Sequence, residues 1–215
     1  RPCVWARLEH KESGKDFYFL SVHFLAPQKG KDGKTNNVGN KYNMQRLREI
    51  TLDMIPADTP SILVGDFNAD HNAKHWGSIG NARWLDLFQH YLAAGTLPKD
   101  IKDWGTQNTK DEASLTKWKP DHIGLHMFRP LDISVDKRRF PTVDGTLHYP
   151  SDHLPVTARV AFIPEVDQSI YNTPAPANAK TVRIISSNIR FWNNNQDLEN
   201  GWDRRKTAIT SMMKD

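Results

Sequence analysis

Ser61-Ile62-Leu63-Val64-Gly65-Asp66-Phe67-Asn68-Ala69-Asp70 decides how the rest of this chain is read. A short run of mostly branched aliphatic residues, closed by a glycine, delivers an aspartate and an asparagine to the rim of a sheet. A run of this length and composition reads as a buried strand. Asp66 and Asn68 stand two residues apart, so extended chain projects both side chains from one face. A carboxylate beside a carboxamide makes a hard-oxygen site suited to Mg²⁺, Mn²⁺ or Ca²⁺ and to a phosphate or water. An Asp at a strand end is also an ordinary turn or cap residue, so the pair takes its meaning from the other strand ends.

Upstream of this strand, residues 4–8 alternate, and Gly14-Lys15 reads as a hairpin turn into a strand over 17–24. A polar loop from 27 to 39 follows. Met44, Leu47, Ile50, Thr51 and Met54 recur at helical spacing, with Pro56 ending the helix. Downstream, the spacing of Trp84, Leu85, Leu87, Phe88 and Leu92 predicts a helix over 84–92, and 97–118 is polar and irregular around Trp104 and Trp118. Strands are expected at 121–125, behind Pro120, and at 155–162, giving five strand-like segments in residues 1–163. Residues 164–180, with Pro164, Pro174 and Pro176, read as a linker. Residues 181–190 alternate as a strand, and 202–213 form a helix with Asp203 in its first turn and an apolar stripe of Ala208, Ile209, Met212 and Met213. There is no internal repeat.

Composition sets the bounds. The chain has 215 residues, enough for one domain with a sizeable core or for pieces of two. Hydrophobic content is low at 38%, offset by seven Trp and nine Phe that supply large surfaces to bury. A net charge of +4 is compatible with an anionic substrate but is no nucleic-acid footprint by itself. The clusters Lys29, Lys31, Lys34 and Lys137, Arg138, Arg139 fit solvated loops equally well. Cys3 is the single cysteine, so no intrachain disulfide forms, and secreted, periplasmic and cytoplasmic locations all remain compatible. No apolar run approaches the roughly 20 residues of a membrane span, and no signal peptide is visible.

Five places at strand ends carry metal- or proton-handling residues: His23, Asp66 with Asn68, Asp121, Asp152 with His153, and Asn188. Singly each has an ordinary reading, His23 as a core histidine and Asp152 as a turn residue. Jointly they form a pattern. Ser21-Val22-His23-Phe24, Gly65-Asp66-Phe67-Asn68, Pro120-Asp121-His122-Ile123 and Ser151-Asp152-His153-Leu154-Pro155 resemble, in order, four motifs of the endonuclease/exonuclease/phosphatase superfamily, bacterial members included. Ile185-Ser186-Ser187-Asn188-Ile189-Arg190 resembles that family's first strand.

The resemblance implies an α/β (α+β) fold, a four-layer α/β/β/α sandwich of the deoxyribonuclease-I-like type, with the site on the rim where strands end. It implies a phosphodiesterase, nuclease or phosphatase activity dependent on Mg²⁺ (or Mn²⁺ or Ca²⁺). By similarity, Asn188 and Asp152 hold the metal, and Asp66 orients or deprotonates the attacking water or protonates the leaving oxygen. Asn68 and His23 bind non-bridging phosphate oxygens, and Asp121 hydrogen-bonds His153. The partner implied is a phosphate ester, either nucleic acid or a small phosphorylated molecule. The chemistry agrees: an anionic ester resists attack, so its site needs a cation, donors and a positioned water. His71 and His75, four apart, are the alternative zinc pair, but no third ligand accompanies them at zinc spacing.

The chain departs from the family in order. The family's Asn strand comes first and is followed by a strand ending in a metal-binding Glu. Here that strand comes last, beyond the linker, and no residue matches the Glu, since Glu199 lies only eleven residues after Asn188. A block of roughly eighty residues is expected between Asp215 and Arg1, judged by ordinary domain size. Residues 1–163 then read as the C-terminal two-thirds of a phosphoesterase domain, and 181–215 as the first strand and helix of the same domain permuted, or of the next in tandem. A lost internal segment is the third explanation. A non-catalytic binding module of the same fold is the alternative function, and a lectin-like sandwich with exposed Trp the least favoured.

Overall fold

The computed structural model describes residues 3–36, 38–70, 83–102, 105–107, 118–163, 179–189 and 202–214. A hairpin comes first: β1 (Cys3–His10) turns at Gly14 into β2 (Lys15–His23), antiparallel from Cys3 opposite Val22 to His10 opposite Lys15. A ribbon of β3 (Gln28–Lys29) and β4 (Thr35–Asn36) precedes α1 (Val38–Met54), which crosses over to β5 (Ser61–Asp66), parallel to β2. Then follow β6 (Leu85–Asp86), α2 (Leu87–Ala93), α3 (Lys99–Lys102), β7 (Asp121–His126) and β8 (Phe128–Val135). The remaining elements are β9 (Phe140–Pro141), β10 (Leu147–His148), β11 (Val156–Phe162), β12 (Thr181–Ser186) and α4 (Trp202–Lys214). The strands form a five-stranded mixed sheet ordered β1-β2-β5-β7-β6 and a three-stranded antiparallel sheet ordered β12-β11-β8.

Side-chain alternation decides what each face meets. Phe17 of β2, Ile62 and Val64 of β5, and Ile123 and Leu125 of β7 share one buried cluster with Phe128, Ile133, Val156, Ala158, Val160 and Ile184 of the smaller sheet. The alternate residues Leu20, Val22 and Leu63 pack instead on Met44 and Leu47 of α1 and on Trp84. Burying each such side chain stabilises the fold by about 1.5–3 kcal/mol. Asp66 lies two residues past Val64, and Asp121 two before Ile123, so both point from the face that meets the smaller sheet.

Several sequence expectations need correction. The stretch 84–92 is not all helix: Leu85–Asp86 pairs with β7, and helix starts at Leu87 because Asp86 is extended and its Oδ1 accepts the Gln89 N–H at 2.8 Å. The five expected strands do not account for residues 1–163, because Arg129-Pro130 hides β8. Pro130 is tolerated because β8 is an edge strand and its register with β11 shifts between Arg159 and Val160. The loop over 27–39 contains the β3–β4 ribbon and the first residues of α1. Met213 is exposed, while Ala208, Ile209 and Met212 are buried as expected. Not every Trp is buried: Trp84 is, but Trp5 and Trp202 are substantially exposed. The His71/His75 pair, Trp104, residues 164–178, Arg190, Glu199 and the Asp203 side chain lie outside the described residues. Among the described residues no helix is long and apolar enough to cross a membrane.

Candidate active site

Register assembles the first half of the site. His23 on β2 stands opposite Asp66 on β5, and Asp66 stands opposite Asp121 on β7, a row across three neighbouring strand ends. His23 Nε2 lies 3.4 Å from Asp66 Oδ2, and its side chain is half exposed, so it is a rim residue rather than a core histidine. Gly65 makes the close approach possible. Its φ is 139°, and a Cβ there would sit 1.9 Å from the Val22 carbonyl oxygen. Beyond it the chain turns sharply: Asn68, at φ 47°, donates its backbone N–H to Asp66 Oδ1 at 2.8 Å and its Nδ2 to the Phe24 carbonyl at 3.0 Å.

The second half comes from the ends of β11 and β12. His153 Nδ1 donates to Asp121 Oδ2 at 2.7 Å, and that same oxygen accepts the hydroxyl of buried Thr106 at 2.7 Å. β12 pairs with β11 from Ser186 opposite Val156, which carries Asn188 past the rim. There Asn188 Nδ2 donates to Asp66 Oδ2 at 2.9 Å, and the Asn188 carbonyl accepts from Ser151 Oγ at 2.5 Å. Asp152, half-buried, has its Oδ1 3.3 Å from Ser151 Oγ. A cavity of about 250 Å³ opens between the two halves, lined by His23, Asp66, Ser187 and Asn188 among others.

Electrostatics follow from this crowding. Burial, reinforced by the charge of Asp121, pushes the Asp66 carboxyl up to about 6, against the pull of His153 and the Asn68 N–H. For His153, burial opposes the charged ring, but the Asp121 hydrogen bond and the charges of Asp121, Asp66 and Asp152 outweigh it and raise the pKa. Ligand atoms of Asp66, Asp121 and His153 all lie within 4.8 Å of one another. Asp121 Oδ1 is buried with no hydrogen-bond partner among the described residues. Two carboxylates that repel one another, one with an unsatisfied oxygen, fit a hard divalent cation by donor chemistry.

The structure thus gathers His23, Asp66, Asn68, Asp121, His153 and Asn188 at one rim, with Asp152 at its edge. Two contributors escaped the sequence reading. Thr106 lies in an irregular polar stretch and carries no signal. His122 is fully buried, with Nδ1 2.8 Å from Asp86 Oδ2 and Nε2 2.9 Å from the Ala69 carbonyl. Its signal was available: Asp86 before an apolar run is a helix cap, and His122 alternates with Asp121 to the opposite face.

No family model matches the sequence, and no curated protein matches it. Solved structures do. One is an endonuclease/exonuclease/phosphatase family protein from Bacteroides thetaiotaomicron, 22% identical with a TM-score of 0.53 over 74% of this chain and 55% of that one. Another is a mannosyl-6-phosphatase from Bacteroides thetaiotaomicron VPI-5482, 24% identical with a TM-score of 0.52 over 74% of this chain and 57% of that one. The chain has the endonuclease/exonuclease/phosphatase fold and spans just over half the length of these neighbours.

Proposed function

We propose that the rim is the site of a divalent-metal-dependent phosphoesterase, built on a four-layer α/β/β/α sandwich with α1 and α4 as its outer layers. The observation that carries this is the linked constellation itself: Asp121 holds His153 at 2.7 Å, while Asn188, from a separate part of the chain, reaches Asp66 at 2.9 Å. The β11–β12 pairing supports reading 1–163 and 181–215 as one domain.

Asn188 and Asp152 would hold Mg²⁺, Mn²⁺ or Ca²⁺, with Asp66 and Asp121 adjacent, and the ion would neutralise charge on the phosphate. The chain's own groups do the rest. Asp66, with a carboxyl titrating near 6, is suited to take a proton from the attacking water at neutral pH or to return one to the leaving oxygen. Asn68 uses one Nδ2 proton on Phe24 and keeps the other for a non-bridging phosphate oxygen. His23 serves the same oxygens from the opposite strand end. Asp121 fixes the Nδ1–H tautomer of His153 and favours its charged form, so Nε2 faces the developing negative charge.

The substrate is a phosphate ester. The mannosyl-6-phosphatase among the fold neighbours supports a small sugar phosphate, and the net charge of +4 is compatible with nucleic acid as well. The test is hydrolysis of a generic phosphodiester and a sugar phosphate by the protein with Mg²⁺. His153→Ala is expected to remove at least 99% of turnover, about the 10²–10⁴-fold assigned to positioned acid–base groups; retention of most activity overturns the assignment. One feature favours a non-catalytic binding module: no residue matches the metal-binding Glu. Calorimetry with Mg²⁺ or Mn²⁺ separates the readings, since a binding module lacking that ligand takes up metal weakly and hydrolyses neither ester.

A further inference from the structure

The loop that carries Asn68 is gripped by its carbonyl groups. Asn40, on α1 and 1% exposed, directs its Nδ2 at the Phe67 carbonyl at 2.5 Å, the Asn68 carbonyl at 3.4 Å and the Leu25 carbonyl at 3.3 Å. His122, on β7, takes the next carbonyl, that of Ala69, at 2.9 Å. Three successive carbonyls thus point toward donors in the scaffold. The loop needs such a hold. Asn68 sits in the left-handed region, which disfavours a non-glycine residue by about 1–2 kcal/mol.

Both grips are themselves anchored. The Asn40 amide has its orientation dictated by the three carbonyls it faces, and its Oδ1 is left buried without a hydrogen-bond partner among the described residues. His122 meets acceptors at both ring nitrogens, the Asp86 carboxylate at 2.8 Å and the Ala69 carbonyl. It is also wedged edge-on between Phe67 and Phe88, with ring centroids 5.6 and 5.7 Å away. Asp86 Oδ1 is spent on the N-terminus of α2, so the clamp is tied to a helix end as well as to two strands. A buried amide with an unsatisfied oxygen and a buried histidine–carboxylate pair are both costly to keep. A loop with no positional task needs neither.

We infer that Asn40 and His122 are positioning residues, a two-point carbonyl clamp that fixes Asn68 and the Asn68-to-Asp66 hydrogen bond in the geometry the site requires. This rests on the phosphoesterase reading for its catalytic consequence but not for its structural one. Neither residue faces the cavity, so each acts through Asn68.

The test uses the full chain with Asn40→Asp, which keeps shape and removes the donors, and His122→Gln. Asn40→Ser and Asp86→Asn are substituted should either fail to fold. Amide hydrogen exchange is read first. Exchange at Asn68 is expected to speed at least tenfold while Ile62, Leu63 and Ile123 stay protected. Unchanged exchange at Asn68, or equal loss of protection along β5 and β7, overturns the clamp. The second reading is turnover of a generic phosphodiester with Mg²⁺. A displacement of about 1 Å is expected to lower kcat by about 10²-fold, with KM changed less than threefold. A rise in KM alone, or kcat within threefold of the parent, overturns the catalytic role. An unsubstituted chain that hydrolyses nothing refutes the phosphoesterase reading and the catalytic consequence together, while exchange at Asn68 still decides the clamp.

Discussion

Replacing Asp66 with Asn is expected to make the protein more stable at pH 8 while removing the phosphoester hydrolysis proposed above. Burial and the neighbouring Asp121 move the Asp66 carboxyl from its ordinary 3.8 to about 6, a difference of roughly two pH units. At 1.36 kcal/mol per unit, the ionised carboxylate costs the fold about 3 kcal/mol. The folded protein binds this proton more tightly than the unfolded chain, so stability falls as pH rises from about 4 to about 6, and the loss is complete above that. Asparagine keeps an oxygen for the Asn68 N–H but turns an amide toward Asn188 Nδ2, forfeiting one hydrogen bond worth about 1 kcal/mol. The net gain is about 2 kcal/mol at pH 8, or about 4–8 °C in Tm for a chain of this size. At pH 4 the folded parent holds this carboxyl almost fully protonated and only the unfolded chain is about half ionised, so most of the gain is gone and the two proteins should differ by less than about 1 kcal/mol. Urea and thermal unfolding in chelator at both pH values read this directly, and Mg²⁺ should raise the parent but not the variant. A variant less stable than the parent at pH 8, or a difference equal at both pH values, refutes the argument.

Other outcomes follow from the same geometry. Gly65→Ala should lose about 3 kcal/mol or fail to fold, because its Cβ meets the Val22 backbone at 1.9 Å; the urea midpoint measures this. Thr106→Val keeps the shape but strips the hydroxyl from Asp121 Oδ2 and from the Asp121 N–H, 3.3 Å away, so unfolding should show about 1–3 kcal/mol of lost stability. Asp121→Asn removes the carboxylate that raises His153 most and leaves only the charges of Asp66 and Asp152 against burial, so NMR titration should show the imidazole pKa falling. The same variant should lower the Asp66 pKa, since a repelling charge is gone.

The legible parts of the site were those at strand ends. Asp66 reads as a strand-end residue and is one, but the expectation that extended chain puts Asn68 on the same face fails, because β5 ends at Asp66 and Asn68 turns at φ 47°. His23, Asp66 and Asp121 meet through register instead. The family-derived expectation that Asp121 bonds His153 is met at 2.7 Å. What escaped was decided by contacts distant in sequence. Thr106 acts from an irregular stretch with no period to read, and β8 carries a proline whose tolerance depends on an edge position and a register shift visible only in the folded sheet. Asn40 stands between the polar loop and the helical stripe that begins at Met44 and carries no signal in the sequence. Its role appears only when the chain returns to it 27 residues later at Phe67.

Asn188 makes the general point about order. It lies 122 residues after Asp66, yet their side chains meet at 2.9 Å. A strand-end site specifies which strand lies beside which, in what direction and register. β12 satisfies all three by pairing antiparallel to β11 with Ser186 opposite Val156. Two residues beyond that pair, Asn188 has no geometric choice but the rim. Connectivity enters only through the entropy of closing the loop, which grows with the logarithm of its length and costs about 0.6 kcal/mol per doubling. The order in which strands follow one another along a chain is therefore a weak constraint on such a site compared with their pairing and register.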